Sequence, residues 1–232
     1  MFLAAAYYKR TGDLELISRI CSNIERALDW TDEYGDPDRD GFVEYGHSSR
    51  HGLLQQGWKD SQDSVFHSDG TLAQGPIALC EVQGYVYAAK REIAEVFDRL
   101  GKPQKAAVLR KEAAVLKDRF HKAFWSEKIS SYAIALDGEK RRCEVRSSNA
   151  GQILFTGLGS ADHCRRLVSE LESEVFYSGW GVCTIAAGQA RYNPMSYHNG
   201  SVWPHDNALI AYGLRNEKDK ALVEEILTVA IK

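Results

Sequence analysis

Between Gln56 and Ala89 the chain reads QGWKDSQDSVFHSDGTLAQGPIALCEVQGYVYAA, in which Trp58, Asp60 and Asp63 share a polar loop and Glu81 falls in the helix-forming run that follows. An indole beside a carboxylic acid suits a pyranose, offering a flat apolar face to stack on and a proton donor at its edge. Asp60 follows Trp58 and Lys59 directly, and an apolar neighbour favours the protonated form of a carboxylic acid, so Asp60 is the candidate general acid. The competing reading is local, because Asp and Ser alternating in a loop also make Asx turns and helix caps. It predicts that one of the two aspartates is structural. Asp60 and Asp63 cannot themselves form a pair of catalytic carboxylates acting on opposite faces of a sugar, since only two residues separate them on one loop.

A second chemistry-bearing stretch is YNPMSYHNGSVWPHDN, residues 192–207, where Tyr197 and Trp203 are interleaved with His198, Asn199, His205 and Asp206. Aromatic rings take the C–H face of a sugar, and Asn, Asp and His satisfy hydroxyls that would otherwise lose hydrogen bonds on leaving water. Capping and loop packing are the alternative for these residues. Glu81 lies in an apolar helical run, where an ionised side chain is expensive to bury without a partner, so it is either a hydrogen-bonding anchor or a substrate contact. Asn149 in SSNAG and Trp180 in SGWGV are lone signals, each consistent with packing or capping, that gain weight only beside the other motifs. Asp36, Asp38, Asp40 and Gly41 spell the opening of a calcium loop, but His47 stands where an EF-hand needs its twelfth-position glutamate. A tight acidic turn is the default there and a partial calcium loop the alternative; no other cofactor is expected.

Positioning these groups falls mainly to helices. Apolar residues recur at helical spacing, and the spacing predicts helices over Phe2 to Arg10, Asp13 to Tyr34, Gly75 to Leu100, Pro103 to Ala123, Ser148 to Gly157, Ala161 to Ser173, Pro204 to Gly213 and Lys218 to Ile231. Gly75 to Ala89 is apolar or small on nearly all sides, as an inner helix would be, whereas Pro103 to Ala123 is amphipathic, as an outer one would be. Long polar loops, Gly35 to Ala73 and Glu174 to Trp203, join such pairs and hold the candidate site residues. The alternating segment Ser130 to Asp137 is the strand candidate, read as one arm of a surface hairpin. No second domain is indicated.

Composition narrows the function classes. With 29 basic and 32 acidic residues mixed along 232, there is no basic field to attract nucleic acid. Five cysteines, odd in number and without a C-x-x-C pair, argue against a disulfide framework and a zinc site. The N-terminus lacks a basic n-region and no segment reaches the apolar run of about 20 residues that spans a bilayer, so a soluble cytoplasmic protein without membrane contact is expected.

Taken together, GWKDSQDSVFHSDG, GPIALCEVQGYVYAA, SNAGQILFTGL, SGWGV and YNPMSYHNGSVWPHDN resemble the amylo-alpha-1,6-glucosidase family, the bacterial relatives of the glucosidase domain of glycogen debranching enzymes. The resemblance runs from YYKRTGDL to the C-terminal helices. It implies an all-α (α/α)6 toroid of helical hairpins, hydrolysis of alpha-linked glucosides with inversion, and an oligosaccharide as partner. It places Asp60 as general acid and Trp58, Trp180, His198, Asn199, Trp203 and Asp206 on loops lining a funnel. The family's base lies in a Pro-Glu-Leu type segment that has no counterpart before Lys232. The reading is therefore of an incomplete toroid, a fragment of a longer glycosidase domain, whose open apolar edge would favour association between copies. A non-catalytic fragment that binds oligosaccharide or a protein is the alternative.

Overall fold

The computed structural model describes residues 1–46 and 52–215. The predicted helix at Lys218 to Ile231 and the calcium-loop position His47 lie outside them. Seven helices occur among the described residues: α1 (Phe2–Thr11), α2 (Leu14–Tyr34), α3 (Cys80–Arg99), α4 (Pro103–Phe124), α5 (Ile153–Thr156), α6 (Ala161–Leu171) and α7 (Pro204–Leu214). Local chemistry sets their ends. Gly12, at φ 69°, terminates α1 in the left-handed conformation that glycine adopts without steric cost, and the Asp13 carboxylate then caps α2 by accepting the Leu16 N–H at 3.0 Å. Pro103 opens α4, where a missing N–H costs nothing.

The helices alternate in role. α3 packs against α1 and α5, and α5 against α7, so the odd-numbered helices form an inner row; α2, α4 and α6 lie outside it, with α4 running along α3. The outer helices bury one stripe each: Ile17, Cys21, Ile24 and Leu28 on α2, and Ala106, Leu109, Ala113, Leu116 and Phe120 on α4, at spacings of three and four. α3 is buried on nearly every side. It is less apolar than its sequence suggests, because Gln83 clasps the Val43 backbone (2.9 and 2.8 Å) and Lys90 meets Asp32 (2.6 Å) and Glu112 (2.9 Å). Those partners satisfy polar groups that burial would otherwise strand.

Two expectations need correction. α3 begins at Cys80 and not at Gly75, since the backbone of Ile77 pairs with Tyr45 and Ala78–Leu79 forms a strand. The segment Ser130 to Asp137 is not a surface arm: it contributes Ser131–Tyr132 to a hairpin with Trp125–Ser126, and Ala135–Leu136 to the centre of a three-stranded antiparallel sheet between Ala78–Leu79 and Arg142–Cys143. Residues 131–137 are all buried, with Tyr132 and Leu136 in one apolar cluster and Ile134 and Ala135 in another. All five cysteines are buried and none forms a disulfide, and no helix among the described residues is long and apolar enough to cross a membrane.

Candidate active site

The inner row brings chemistry to one end of the fold. Glu81 stands in the first turn of α3, Asn149 and Gln152 in the 3-10 turn that leads into α5, and Asp206 in the first turn of α7. A carboxylate in a first turn is stabilised by the orphan N–H groups there. Loop 56–65 crosses this end. Its Gly57 comes so close to α3 that a Cβ would lie 2.3 Å from Leu79 Cδ1 and 3.6 Å from Glu81 Oε1.

Along that loop Trp58 is half-buried, Lys59 buried and Asp60 exposed. The Trp58 ring packs edge-on against His205 (5.0 Å), His198 (5.6 Å) and Trp203 (6.0 Å). Trp203 in turn stacks on His198 at 5.2 Å and meets Tyr197 at 4.8 Å, while its indole N–H donates to the Tyr197 carbonyl at 2.8 Å. The result is an aromatic platform beside the Asp60 carboxyl, whose Oδ1 lies 3.9 Å from His198 Nδ1. The Ser61 hydroxyl (2.8 Å) and N–H (3.4 Å) both address that nitrogen, which assigns the ring proton to Nε2. Burial holds the His198 imidazole below its ordinary pKa, against the opposing pull of Asp60 and Asp63, so the ring is neutral near pH 7.

Beneath the platform, Lys59 Nζ is buried and donates to the Thr184 carbonyl at 2.6 Å. Thr184 ties the site's segments together: its carbonyl also accepts from Ser148 N–H (3.1 Å), its N–H donates to the Ser201 carbonyl (2.9 Å), and its hydroxyl oxygen accepts from Gly200 N–H (2.8 Å). Asp206 Oδ1 accepts from Gln152 Nε2 at 2.5 Å, and Gln152 Oε1 from the Tyr85 hydroxyl. Burial pushes Glu81 up to about 7, offset by its backbone N–H, the Asn149 amide and Lys59; burial likewise lowers Lys59 to about 8, against Asp206 and Glu81. Desolvation thus outweighs mutual attraction at both ends. Five buried polar atoms around this floor lack a partner: the acceptors Glu81 Oε1, Asp206 Oδ2, Asn149 Oδ1 and Asn199 Oδ1, and the donor Trp58 Nε1. Four acceptors to one donor is the complement of a hydroxyl-rich ligand.

The structure therefore brings together Trp58, Asp60, His198, Asn199 and Trp203 around the platform and Glu81, Asn149 and Asp206 at its floor. The Asp63 backbone carbonyl accepts from Asn199 Nδ2 at 3.2 Å. Trp180 lies on an exposed turn, 75% accessible, and makes no ring contact among the described residues; the turn is joined to α7 through Val182 and Asn207. The side chain of Asp60 is half exposed, so the apolar neighbour expected to surround it is engaged elsewhere: the Trp58 ring faces the two histidines and Trp203. Asp36, Asp38 and Asp40 do cluster, but their oxygens are taken. Asp36 accepts from Gly41 N–H (2.8 Å), Asp40 from Phe42 N–H (2.8 Å), and Lys140 Nζ, 2.8 Å from Asp38 and 2.7 Å from Asp40, fills the place of a cation. The acidic-turn reading accounts for them. Sequence reasoning missed Lys59, Gln152 and Thr184 as parts of the site, because their places depend on distant partners, Thr184 for Lys59 and Asp206 for Gln152.

The family model of the mannosylglycerate hydrolase MGH1-like glycoside hydrolase domain matches residues 2–232. Among solved structures, the mannosylglycerate hydrolase of Thermus thermophilus in complex with Tris superposes with a TM-score of 0.74 at 16% identity, over 98% of this chain and 66% of that one. The same enzyme in complex with glucose gives 0.58 at 18% identity, over 67% and 36%. A family 78 rhamnosidase of a Bacillus species gives 0.65 at 14% identity, over 95% and 19%. The chain thus spans from about a fifth to about two thirds of the length of these structures. Such identities establish the fold, helical hairpins of the (α/α)6 six-hairpin glycosidases. No curated protein matches the chain.

Proposed function

The chain belongs to the mannosylglycerate hydrolase MGH1-like glycoside hydrolase family, and from that premise we propose that it carries the acid side of an alpha-glycoside hydrolase site. The observation that carries this reading is the juxtaposition of an accessible carboxyl, Asp60, with a platform of Trp58, His198 and Trp203 above buried, unpartnered acceptors of Glu81, Asn149 and Asp206. A pyranose fits it chemically. Its C–H face stacks on the indole rings, its hydroxyl protons meet the acceptors, and its glycosidic oxygen takes a proton from Asp60 as the bond to the anomeric carbon breaks. The neutral His198 is held by Ser61 with its proton on Nε2, so it does not compete with Asp60 as an acid.

We take the substrate to be an alpha-linked glucoside, 1,6-linked in keeping with the amylo-alpha-1,6-glucosidase resemblance, with a glucosyl or mannosyl unit over the acceptors. Hydrolysis proceeds with inversion, Asp60 acting as acid and a second carboxylate delivering water to the opposite face. The test is release of glucose or mannose from a panel of alpha-linked glycosides, with Asp60→Asn run in parallel and the anomer of the first-formed product read by NMR. Turnover that Asp60→Asn abolishes, giving the inverted anomer, is the expected result. Undiminished turnover in Asp60→Asn removes the acid assignment, and saturable sugar binding without turnover replaces the enzyme reading with that of an oligosaccharide-binding domain.

A further inference from the structure

Lys59 is the unusual group of the site. A buried lysine ammonium is costly unless paired, yet its nearest partner is a neutral carbonyl, Thr184 O at 2.6 Å, and no carboxylate among the described residues lies within ion-pair distance. Trp58 offers its ring face at 5.2 Å, a cation–π contact from below the sugar platform. The charged and titratable groups that face Lys59 are Asp206 from α7, Glu81 and Cys80 from α3, and His198 from the 192–203 loop; those facing Glu81 are Lys59, Cys80, Tyr45 and Tyr85. Each of the two carboxylates leaves one oxygen unpartnered in the buried floor, Glu81 Oε1 and Asp206 Oδ2.

We propose that Lys59 is a positioning cation of the sugar site: anchored to Thr184 beneath Trp58, it is the shared counter-charge to Glu81 and Asp206, held off both so that their open oxygens stay free for ligand hydroxyls, and it fixes the loop that carries Asp60. A cation in direct contact with either carboxylate would consume an acceptor that the ligand needs. Held instead by a carbonyl a few ångströms away, it supports both charges and blocks neither. The geometry also ties the two catalytic requirements together, since residues 58, 59 and 60 place the stacking ring, the counter-charge and the acid on consecutive positions. This assignment rests on the glycoside-hydrolase reading for the identity of the ligand, though not for the charge coupling.

The test is a pH titration of the Glu81 carboxyl carbon by NMR, assigned with Glu81→Gln, in the wild-type chain and in Lys59→Met, with circular dichroism confirming the fold and glucose affinity measured across the same pH range. Removing the cation is expected to move the Glu81 midpoint upward by about one pH unit or more and to carry the acid limb of glucose binding upward with it. A side chain that only fills space would weaken binding evenly across pH and leave the midpoint in place. An unchanged midpoint in folded Lys59→Met overturns the proposal. Should that variant not fold, the reciprocal experiment decides: the Lys59 ammonium, followed by nitrogen-15 NMR, must titrate lower in Glu81→Gln than in wild type, and an unchanged Lys59 midpoint overturns the proposal equally. Neither titration depends on turnover. Midpoints that move in a chain that binds no glucose uphold the coupling and remove the glycosidase reading, whereas glucose binding with unmoved midpoints does the reverse.

Discussion

The chain has two carboxylate clusters, one local in sequence and one assembled from distant residues, that differ in how their charge is met. In the turn at Asp36, Asp38 and Asp40 the acids meet backbone N–H groups and Lys140, which also reaches Glu44; one oxygen, Glu44 Oε2, is left without a partner. At the end of the inner helices, Glu81 and Asp206 are buried with an open oxygen each, and their cation, Lys59, bonds to a carbonyl. The first arrangement spends its charge on holding a loop. The second keeps charge available, at a desolvation cost that a bound ligand would offset. A cleft of about 460 Å³ between α2, α3 and α4 belongs with the first kind, since its Lys90 is paired with Asp32 and Glu112. Satisfaction of polar groups, more than their density or the size of the nearest hollow, separates structural from functional clusters here.

The contrast breaks most sharply at single carboxylates. Asp60→Asn should lower glycoside turnover by about 10²–10⁴-fold, whereas Asp38→Asn should leave it within about twofold; steady-state kinetics on the two variants decides. Next in size, Asp206→Asn should weaken glucose binding about ten- to a hundredfold by calorimetry, the range of a lost charge-assisted hydrogen bond. Lys140→Met should act in the opposite sense, costing on the order of 1–2 kcal/mol of unfolding free energy by leaving Asp38, Asp40 and Glu44 to repel one another, with glucose affinity unchanged. Equal losses of affinity in Asp206→Asn and Lys140→Met would erase the distinction.

A further expected effect is a pH dependence of stability. Glu81 titrates at about 7 when folded and near 4.5 in its ordinary state, so the folded chain holds that proton longer and its stability falls as pH rises from about 4.5 to about 7. Burial lowers His198, His121 and His163, and these work in the other direction, withdrawing stability as pH falls through their ordinary value of 6.5. Thermal unfolding of Glu81→Gln beside wild type should show the carboxyl's decline removed and the histidines' retained. Parallel curves would mean that Glu81 is not the strained acid described.

Much of this was legible in the chain. Asp13, Gly12, Pro103 and the 3-4 spacings on α2 and α4 act locally, so their consequences can be read from neighbours in sequence. The motifs around Trp58 and Trp203 mark two loops that the structure brings into contact. What was not legible depends on distant partners. Nothing near Asp36 announces that Lys140, far along the chain, will neutralise the turn, and nothing near Ala135 announces that strands from residues 78 and 142 will flank it. In sequence Lys59 is the neighbour of Asp60, but its hydrogen-bond partner is Thr184, 125 residues along the chain.

The most direct test is a crystal structure of the chain with glucose at saturating concentration. The account predicts a pyranose stacked on Trp58 or Trp203, with hydroxyls within hydrogen-bond distance of Glu81 Oε1 and Asp206 Oδ2 and the anomeric oxygen facing Asp60. Glucose bound elsewhere, with those two oxygens satisfied by nothing but protein or water, would contradict it.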